Sequence, residues 1–250
     1  MELTFKHNGI SFSFNTDQPL DISLPIKRDG TGVNCFYTDR PIYTPYQAGS
    51  FIGSVNSGGA CNVDVVQFTP HGNGTHTECI GHINGEGRLI TETLKDSLIL
   101  CNLVSVEPEK IGEDLCVTRA QIEKCSLVSG IKGLVVRTLP NSDGKRSKDY
   151  SGTNPVYFSA DALEYVKGYG IEHLLCDFPS VDREDDGGLL LAHKAFFGVP
   201  DSPRLHATIT ELIFVSEDVN DGFYMLNLQI ASFHSDASPS RPLLFKVNSF

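Results

Sequence analysis

The sequence predicts a mixed α/β fold, a single domain whose curved sheet or barrel-like core carries flanking helices. Strand-helix-strand units occupy the middle of the chain, and strand-rich segments occupy both ends. Neither an internal repeat nor a linker divides the 250 residues. A chain of this length can bury one large core, so we expect one domain spanning residues 1–250.

The first predicted element is a hairpin over Glu2–Phe14. Two alternating apolar runs flank Asn8-Gly9, the dipeptide that best tolerates the left-handed backbone of a type I′ turn. A short strand is expected over Asp21–Ile26.

Residues 28–60 form a long segment that is rich in Gly, Pro, Tyr and Ser and has few periodic runs. Such segments are often lids or binding loops, and we expect a lid here. Its aromatic side chains either fasten the segment to the core or line a substrate pocket. The candidates for substrate contact are Phe36, Tyr43 and Phe51.

Strands and short helices alternate through the rest of the chain, with an exposed loop expected over residues 140–155. The remaining predicted strands are Asn62–Phe68, Leu98–Val106, Gly133–Thr138, Leu174–Phe178, Ala207–Val215, Phe223–Phe233 and Leu243–Val247. The predicted helices run from the capping box of Thr118 and Gln121 to about Leu127, from the Ser159 cap through Lys167 with Gly168 at the C′ position, and from Leu189 to Phe197 before Gly198.

Charge and composition exclude several classes of partner. The net charge of -11 argues against nucleic acid and anionic membranes, and no apolar stretch approaches the ~18 residues of a membrane helix. The seven cysteines form no CxxC pair, and the N-terminus has no export signal. We therefore expect reduced thiols, a cytoplasmic location and a small-molecule substrate.

Histidine and glutamate side chains cluster in the run from His71 to His82. His76, Glu78 and His82 share the same parity, so an extended segment would point them to one face. His76 and Glu78 would lie ~6.6 Å apart at Cα. Imidazole and carboxylate ligands suit Zn²⁺ or Mn²⁺. The alternative is an ordinary polar turn. Cys79 has the opposite parity and should pack behind the site.

A second ligand group appears downstream. His193 follows an acidic segment, and Glu211 interrupts a strand that is otherwise apolar or β-branched. A carboxylate in such a strand is costly unless it is paired or bound to a cation. The alternative is a glutamate that faces water from an edge strand.

These elements together resemble the cyclase family that includes kynurenine formamidase and isatin hydrolase. The family motif His-x-Gly-Thr-His-x-Asp-x-Pro-x-His is similar to the run from His71 to His82. Weaker matches follow the family's order, so that the resemblance spans about residues 20–247. They are Asp21-Ile22-Ser23, Val135-Val136-Arg137-Thr138, Asp177-Phe178-Pro179-Ser180-Val181-Asp182, His193, Glu211 and Ser238-Pro239-Ser240-Arg241.

The resemblance implies a cyclase-like α/β fold with one or two divalent ions, either Zn²⁺ or Mn²⁺. It implies that His71, His76 and Glu78 bind the first ion and that Glu78 can bridge to a second ion. The resemblance also assigns His193 and Glu211 to that second ion, and His82 to the role of general acid/base. Family members are commonly dimers or tetramers, so a homodimer or homotetramer is expected.

Three departures from the motif stand out. Glu78 replaces the usual Asp, Ile80 replaces the usual Pro, and His71 lies five residues before His76 rather than four. The additional residue falls in Gly72-Asn73-Gly74, which can absorb it as a looped turn. These changes indicate a divergent branch of the family.

Three functions are compatible with this site. The leading hypothesis is a metal-dependent hydrolase, arylformamidase-like, that cleaves a C–N bond of an amide, lactam or aryl-formamide with a metal-activated water. A cyclase or dehydratase could use the same ion to stabilise an enolate. The third reading is a protein that binds a metal or ligand without turnover.

Overall fold

One long mixed sheet organises the chain in this computed structural model, which describes residues 1–85 and 87–249. The strands are β1 (Glu2–His7), β2 (Ile10–Asn15), β3 (Leu20–Asp21), β4 (Ile42–Pro45), β5 (Gln47–Ala48), β6 (Phe51–Ile52), β7 (Asp64–Gln67), β8 (His76–Cys79), β9 (Leu98–Val106), β10 (Glu109–Ile111), β11 (Asp114–Val117), β12 (Gly133–Thr138), β13 (Tyr157–Phe158), β14 (His173–Cys176), β15 (Thr208–Glu211), β16 (Gly222–Asn227), β17 (Ala237–Pro239) and β18 (Leu243–Ser249). The helices are α1 (Pro70–Asn73), α2 (Ile90–Thr93), α3 (Arg119–Glu123), α4 (Ala160–Gly168) and α5 (Leu191–Phe197), and 3-10 turns cover Val55–Ser57, Ile80–His82 and Asp143–Ser147.

The main sheet runs in the order β1-β2-β18-β16-β9-β12-β14-β15-β8-β17, and β3 pairs with β18, which makes eleven strands among the residues described. The four strands β9, β12, β14 and β15 are parallel, and their neighbours on both sides are antiparallel. This is the mixed α/β architecture that the sequence predicts.

Apolar side chains of the central strand β12 are buried on both faces. Leu134 and Val136 join one apolar cluster with the helix residue Leu163, whereas Val135 joins a second cluster with Leu175. The alternation follows from the two-residue repeat of a strand. Full burial of each such side chain stabilises the fold by about 1.5–3 kcal/mol, so this stiff centre can hold neighbouring loops in place.

Strand β8 lies between β15 and β17 and is antiparallel to both. In this register His76 stands opposite Glu211, the last residue of β15. The carboxyl ends of β14 and β15 therefore lie beside the beginning of β8. In open α/β sheets, ligands bind at the carboxyl ends of the parallel strands.

The predicted hairpin is confirmed, with Asn8 at φ 49° and Gly9 at φ 80° as a type I′ turn requires. The strand predicted over Asp21–Ile26 is wrong beyond Asp21. Ser23 forms an isolated bridge with Ile213, and Leu24 N–H donates to the hydroxyl oxygen of Thr75 at 2.6 Å.

The remaining predicted elements exist, and several of them differ from the prediction at their ends. Helix α3 begins at the predicted capping box and ends at Glu123 rather than Leu127, and Val128 N–H donates to the Asn102 side chain at 2.8 Å. Helix α4 includes Gly168, and the left-handed residue is Gly170, at φ 95°. The strands predicted over Ala207–Val215 and Phe223–Phe233 shorten to β15 and β16. Strand β9, strand β12 and the Gly198 stop of α5 are as predicted.

None of the helices within residues 1–85 and 87–249 is long and apolar enough to span a bilayer. The proposed lid, residues 28–60, contains the short hairpin of β5 and β6, and strand β4 pairs with β7. Its role as a lid stays a prediction.

Candidate metal centre

Strand β8 supplies two of the predicted ligands from one face. His76 and Glu78 are both 0% exposed, and Nε2 of His76 lies 3.2 Å from Oε2 of Glu211. Thr77 points the other way and shares a 2.8 Å hydrogen bond with Thr210. Strand alternation therefore places the first pair as the sequence predicts.

The parity argument is wrong for His82, although this residue does reach the site. The strand ends at Cys79, and a 3-10 turn over Ile80–His82 carries the imidazole back over Glu78. Nε2 of His82 lies 3.8 Å from Oε2 of Glu78. A Cβ at Gly81 would collide with the backbone carbonyl of Arg88, so this turn requires glycine there. Cys79 is buried, and its thiol donates to that same carbonyl at 3.4 Å.

Helix α1, a single turn, accommodates the additional residue that precedes His76. Asn73 is fully buried. Its Oδ1 accepts from Thr69 N–H at 2.7 Å, and its Nδ2 donates to Oδ1 of Asn34 at 2.8 Å. These bonds fix a turn that carries His71 to the site, where its Nδ1 lies 3.2 Å from Oε2 of Glu78.

Glu78 is the centre of the cluster. Its Oε1 lies 2.9 Å from Nε2 of His193, while its Oε2 faces His71 and His82. Burial alone would raise the pKa of this carboxyl, but the imidazoles of His82 and His193 outweigh burial and hold the pKa well below its usual range. A buried carboxylate that stays ionised attracts positive charge to this point.

His193 is oriented by Asp182. Nδ1 of the imidazole lies 2.6 Å from Oδ2 of Asp182, and the same carboxylate accepts from the backbone N–H of Ala192 at 2.6 Å. Burial opposes the charged imidazole, yet Glu78 and Asp182 raise the pKa of His193 to about 10. With Nδ1 occupied by a carboxylate, Nε2 is the nitrogen available to the site.

Glu211 does not face water, so that alternative reading is wrong. Its side chain is 4% exposed, because β15 lies between β14 and β8 and is not an edge strand. Oε1 accepts from Val181 N–H at 2.9 Å, which leaves Oε2 directed at His76.

Two buried polar atoms of this cluster have no hydrogen-bond partner among the described residues. They are Nε2 of His76 and Oε2 of Glu78, and the contacts around them at 3.2 Å lack hydrogen-bond geometry. Nearly all buried polar groups in proteins are satisfied. A cation between an imidazole nitrogen and a carboxylate oxygen would satisfy both, so the residues present fit a divalent metal.

The possible ligand atoms around these two unpartnered atoms also lie close together. Within each of two trios the ligand atoms lie within 4.8 Å of one another, and Glu78 belongs to both. The trios are His71, His76, Glu78 and Glu78, His82, His193.

Asp236 belongs to the cluster and was missed by the sequence reasoning. Its Oδ2 lies 3.1 Å from Nε2 of His71 and 3.2 Å from Nδ1 of His82. The hydrogen bond with His71, followed by that with His82, lowers the pKa of Asp236. The residue directly precedes β17, which pairs with β8. The only available signal was its position beside the matched segment that begins at Ser238.

The three aromatic candidates for substrate contact make their observed contacts within or next to the segment 28–60. Phe36 packs against a buried cluster that includes Leu24. The Tyr43 hydroxyl donates to the Ile26 carbonyl at 2.8 Å, and the Phe51 ring lies 6.2 Å from that of Tyr46. Phe36 and Tyr43 fasten the segment to residues outside it, whereas Phe51 contacts a residue of the segment itself. A role of the three in substrate binding stays a prediction.

Comparison with known proteins identifies the family. The family model described as Putative cyclase matches residues 20–183, more than half of the chain. The chain belongs to this cyclase family. The resemblance in the sequence motifs is thereby confirmed.

Relatives and solved structures agree with the family assignment. The chain is 26% identical over 232 residues to the kynurenine formamidase of Bacillus mycoides (strain KBAB4), which covers 92% of this chain and 98% of that protein. It is similar in fold to a potential metal-dependent hydrolase with cyclase activity, with a TM-score of 0.65 and 18% identity. The match covers 91% of this chain and 97% of that protein. An isatin hydrolase bound to the product analogue thioisatinate gives a TM-score of 0.65, 13% identity and coverage of 92% and 93%. At these identities the two solved structures confirm the fold class.

Proposed function

We propose that this protein is a metal-dependent hydrolase that cleaves the C–N bond of an amide, a lactam or an aryl-formamide. The observation that carries the proposal is the unpartnered pair of buried atoms, Nε2 of His76 and Oε2 of Glu78, beside a partly exposed imidazole at His82. The relatives named kynurenine formamidase and isatin hydrolase support a bond of this type.

The residues that would hold one or two Zn²⁺ or Mn²⁺ ions are His71, His76, Glu78, His193 and Glu211. Glu211 faces His76 at 3.2 Å, and His193 faces Glu78 at 2.9 Å. When bound, such an ion lowers the pKa of a coordinated water to about 7 and polarises the substrate carbonyl. The carboxylates of Asp182 and Asp236 orient His193 and His71 for this task.

His82 is suited to move the proton. Its side chain is 31% exposed, unlike the buried His76, so it borders the space that a substrate can enter. Asp236 lies at Nδ1 of His82, and Nε2 faces Glu78. We assign Nε2 to accept the proton of the attacking water and to deliver it to the leaving nitrogen.

Turnover of N-formylkynurenine and of simple aryl amides, measured with and without chelator, tests the proposal. We expect activity that is lost on metal removal and restored by Zn²⁺ or Mn²⁺. His76→Ala should abolish it, whereas His206→Ala, at a position 60% exposed and outside the cluster, should leave it unchanged. Turnover that survives both complete metal removal and His76→Ala would contradict the proposal.

Solvent labelled with ¹⁸O separates the reaction classes. Hydrolysis places the label in the product acid, whereas a cyclase or dehydratase that uses the same ion does not. Tight ligand uptake without turnover across a panel of amides and lactones would instead indicate a non-catalytic binding protein. The finer assignment to an arylformamidase requires a formyl-amide to be preferred over larger acyl groups.

A further inference from the structure

A second cluster of histidine and carboxylate side chains lies at the amino ends of the parallel strands. His173 is the first residue of β14, whereas the loop that carries Asp182 follows the last residue of that strand. The second cluster is therefore at the opposite strand ends from the candidate catalytic site. Its members are Asp96, Lys132, Glu172, His173 and His206, which surround a depression of about 300 Å³.

His173 has one nitrogen that is unsatisfied. The side chain is 3% exposed, and its Nδ1 lies 2.9 Å from the hydroxyl of Thr208. Nε2 has no hydrogen-bond partner among the described residues and lies 3.7 Å from Oδ2 of Asp96. A neutral imidazole with Nδ1–H donated to Thr208 would direct the Nε2 lone pair at a carboxylate, and a cation between them would resolve this conflict.

The neighbouring groups complete a set of metal ligands. Ligand atoms of Asp96, Glu172 and His173 all lie within 4.8 Å of one another. His206 is exposed and free to turn, and its Nε2 already lies 3.9 Å from Oε1 of Glu172. Imidazole nitrogens combined with carboxylate oxygens suit Zn²⁺ and its first-row neighbours.

Lys132 is the cation that faces these carboxylates now. Its Nζ lies 3.3 Å from Asp96 and 3.0 Å from Glu172, but it makes no hydrogen bond to His173. The lysine side chain is 51% exposed. Ion pairs with this exposure contribute little stability. The ammonium can therefore move into solvent when a divalent cation binds the carboxylates.

We propose that Asp96, Glu172, His173 and His206 form a second divalent-metal site that takes Zn²⁺, and that Lys132 competes with the ion for it. The ion would join the loop before β9 to the beginning of β14. The site is separate from the candidate catalytic centre and would not take part in turnover.

Equilibrium dialysis of the full chain against Zn²⁺, with elemental analysis, tests the site. We expect the wild type to bind one more zinc ion than the double variant Glu172→Gln/His206→Ala, which changes a partly buried and an exposed side chain and leaves the buried His173 in place. Lys132→Met removes the competing charge and should tighten that zinc by about two- to fivefold, as expected for the loss of an exposed ion pair. All three proteins should hydrolyse amides equally.

A ring-nitrogen NMR measurement shows which atom binds. Zinc at the site should shift Nε2 of His173 and leave its Nδ1 bonded to Thr208. If the wild type binds no more zinc than the double variant, the cluster is an ion-pair network only and the metal site is wrong. If Lys132→Met binds the additional zinc no more tightly than the wild type, the competition by Lys132 is wrong. Failure here leaves the hydrolase proposal untouched, because the two clusters share no residue.

Discussion

Asp236→Asn tests the geometry of the candidate site most directly. The carboxylate holds one candidate metal ligand and the candidate acid/base through a single oxygen, at 3.1 Å from His71 and 3.2 Å from His82. Asparagine keeps the size of the side chain and one acceptor oxygen but removes the charge. The substitution therefore separates orientation by a carboxylate from simple packing.

The magnitude follows from these two contacts. Hydrogen bonds to charged groups contribute about 1.5–3 kcal/mol, and distances above 3 Å place both at the lower end of that range. Because about 1.4 kcal/mol is a factor of ten, the loss at His82 should lower kcat about tenfold. The loss at His71 should weaken metal retention by a similar factor, while KM changes little.

Steady-state kinetics at saturating metal, together with equilibrium dialysis, measure the two effects separately. Asp221→Asn is the matched control. That carboxylate is 45% exposed and lies 2.9 Å from the Arg137 guanidinium, outside the cluster, so kcat should stay unchanged. If Asp236→Asn keeps both kcat and metal affinity within threefold of the wild type, the orienting role is wrong. If only metal retention falls, the assignment of His82 is wrong.

Three further predictions concern the buried polar groups. Glu78→Gln keeps the shape of a fully buried side chain but removes its charge, so metal retention should fall more than tenfold in dialysis. In the wild type the Lys145 ammonium lies 2.8 Å from the buried Asp177 carboxylate. Lys145→Met leaves that carboxylate without its ion-pair partner, which should lower the free energy of unfolding, measured in urea at pH 7, by about 3–5 kcal/mol. Burial already raises the pKa of Asp177 despite Lys145. Losing the lysine raises that pKa further, so the deficit should shrink as pH falls and the carboxyl takes up a proton. Asn73→Ala should cost about 2–3 kcal/mol in unfolding free energy and also weaken metal binding, because the turn that carries His71 loses its internal bonds.

Each of these three has a control of the same residue type at the surface. Glu92→Gln removes an exposed group, and Lys167→Met and Asn227→Ala remove partly exposed groups; each forms an ion pair or a single surface hydrogen bond. They should change stability by less than about 0.5 kcal/mol. A buried variant that behaves like its surface control contradicts the reasoning for that residue.

The local pattern was sufficient for the residues whose neighbours in sequence determine their direction. His76 and Glu78 follow strand alternation, and Glu211 was recognisable because a carboxylate is out of place in an apolar strand. The Asn8-Gly9 turn and the Gly198 stop of α5 are also local, since each depends on a left-handed backbone at one or two residues.

Contacts between distant segments set what the sequence could not predict. Asp236 reaches the site because β17 pairs with β8, a choice of partner strand that no local pattern encodes. His82 arrives through a turn closed by the Arg88 backbone rather than through the strand. The chain leaves β18 after Asp21, because Ser23 bridges to Ile213 and Leu24 N–H donates to the hydroxyl of Thr75.

Two departures from the family motif meet at one contact in the structure. Glu78 is one methylene longer than the usual Asp, and the additional residue in the preceding turn displaces His71 along the chain. The two changed residues meet in the structure, where Nδ1 of His71 lies 3.2 Å from Oε2 of Glu78. The other carboxylate oxygen still reaches His193 at 2.9 Å. The ligand atoms of His71, His76 and Glu78 lie within 4.8 Å of one another, so a converging ligand set persists although two positions of the motif have changed.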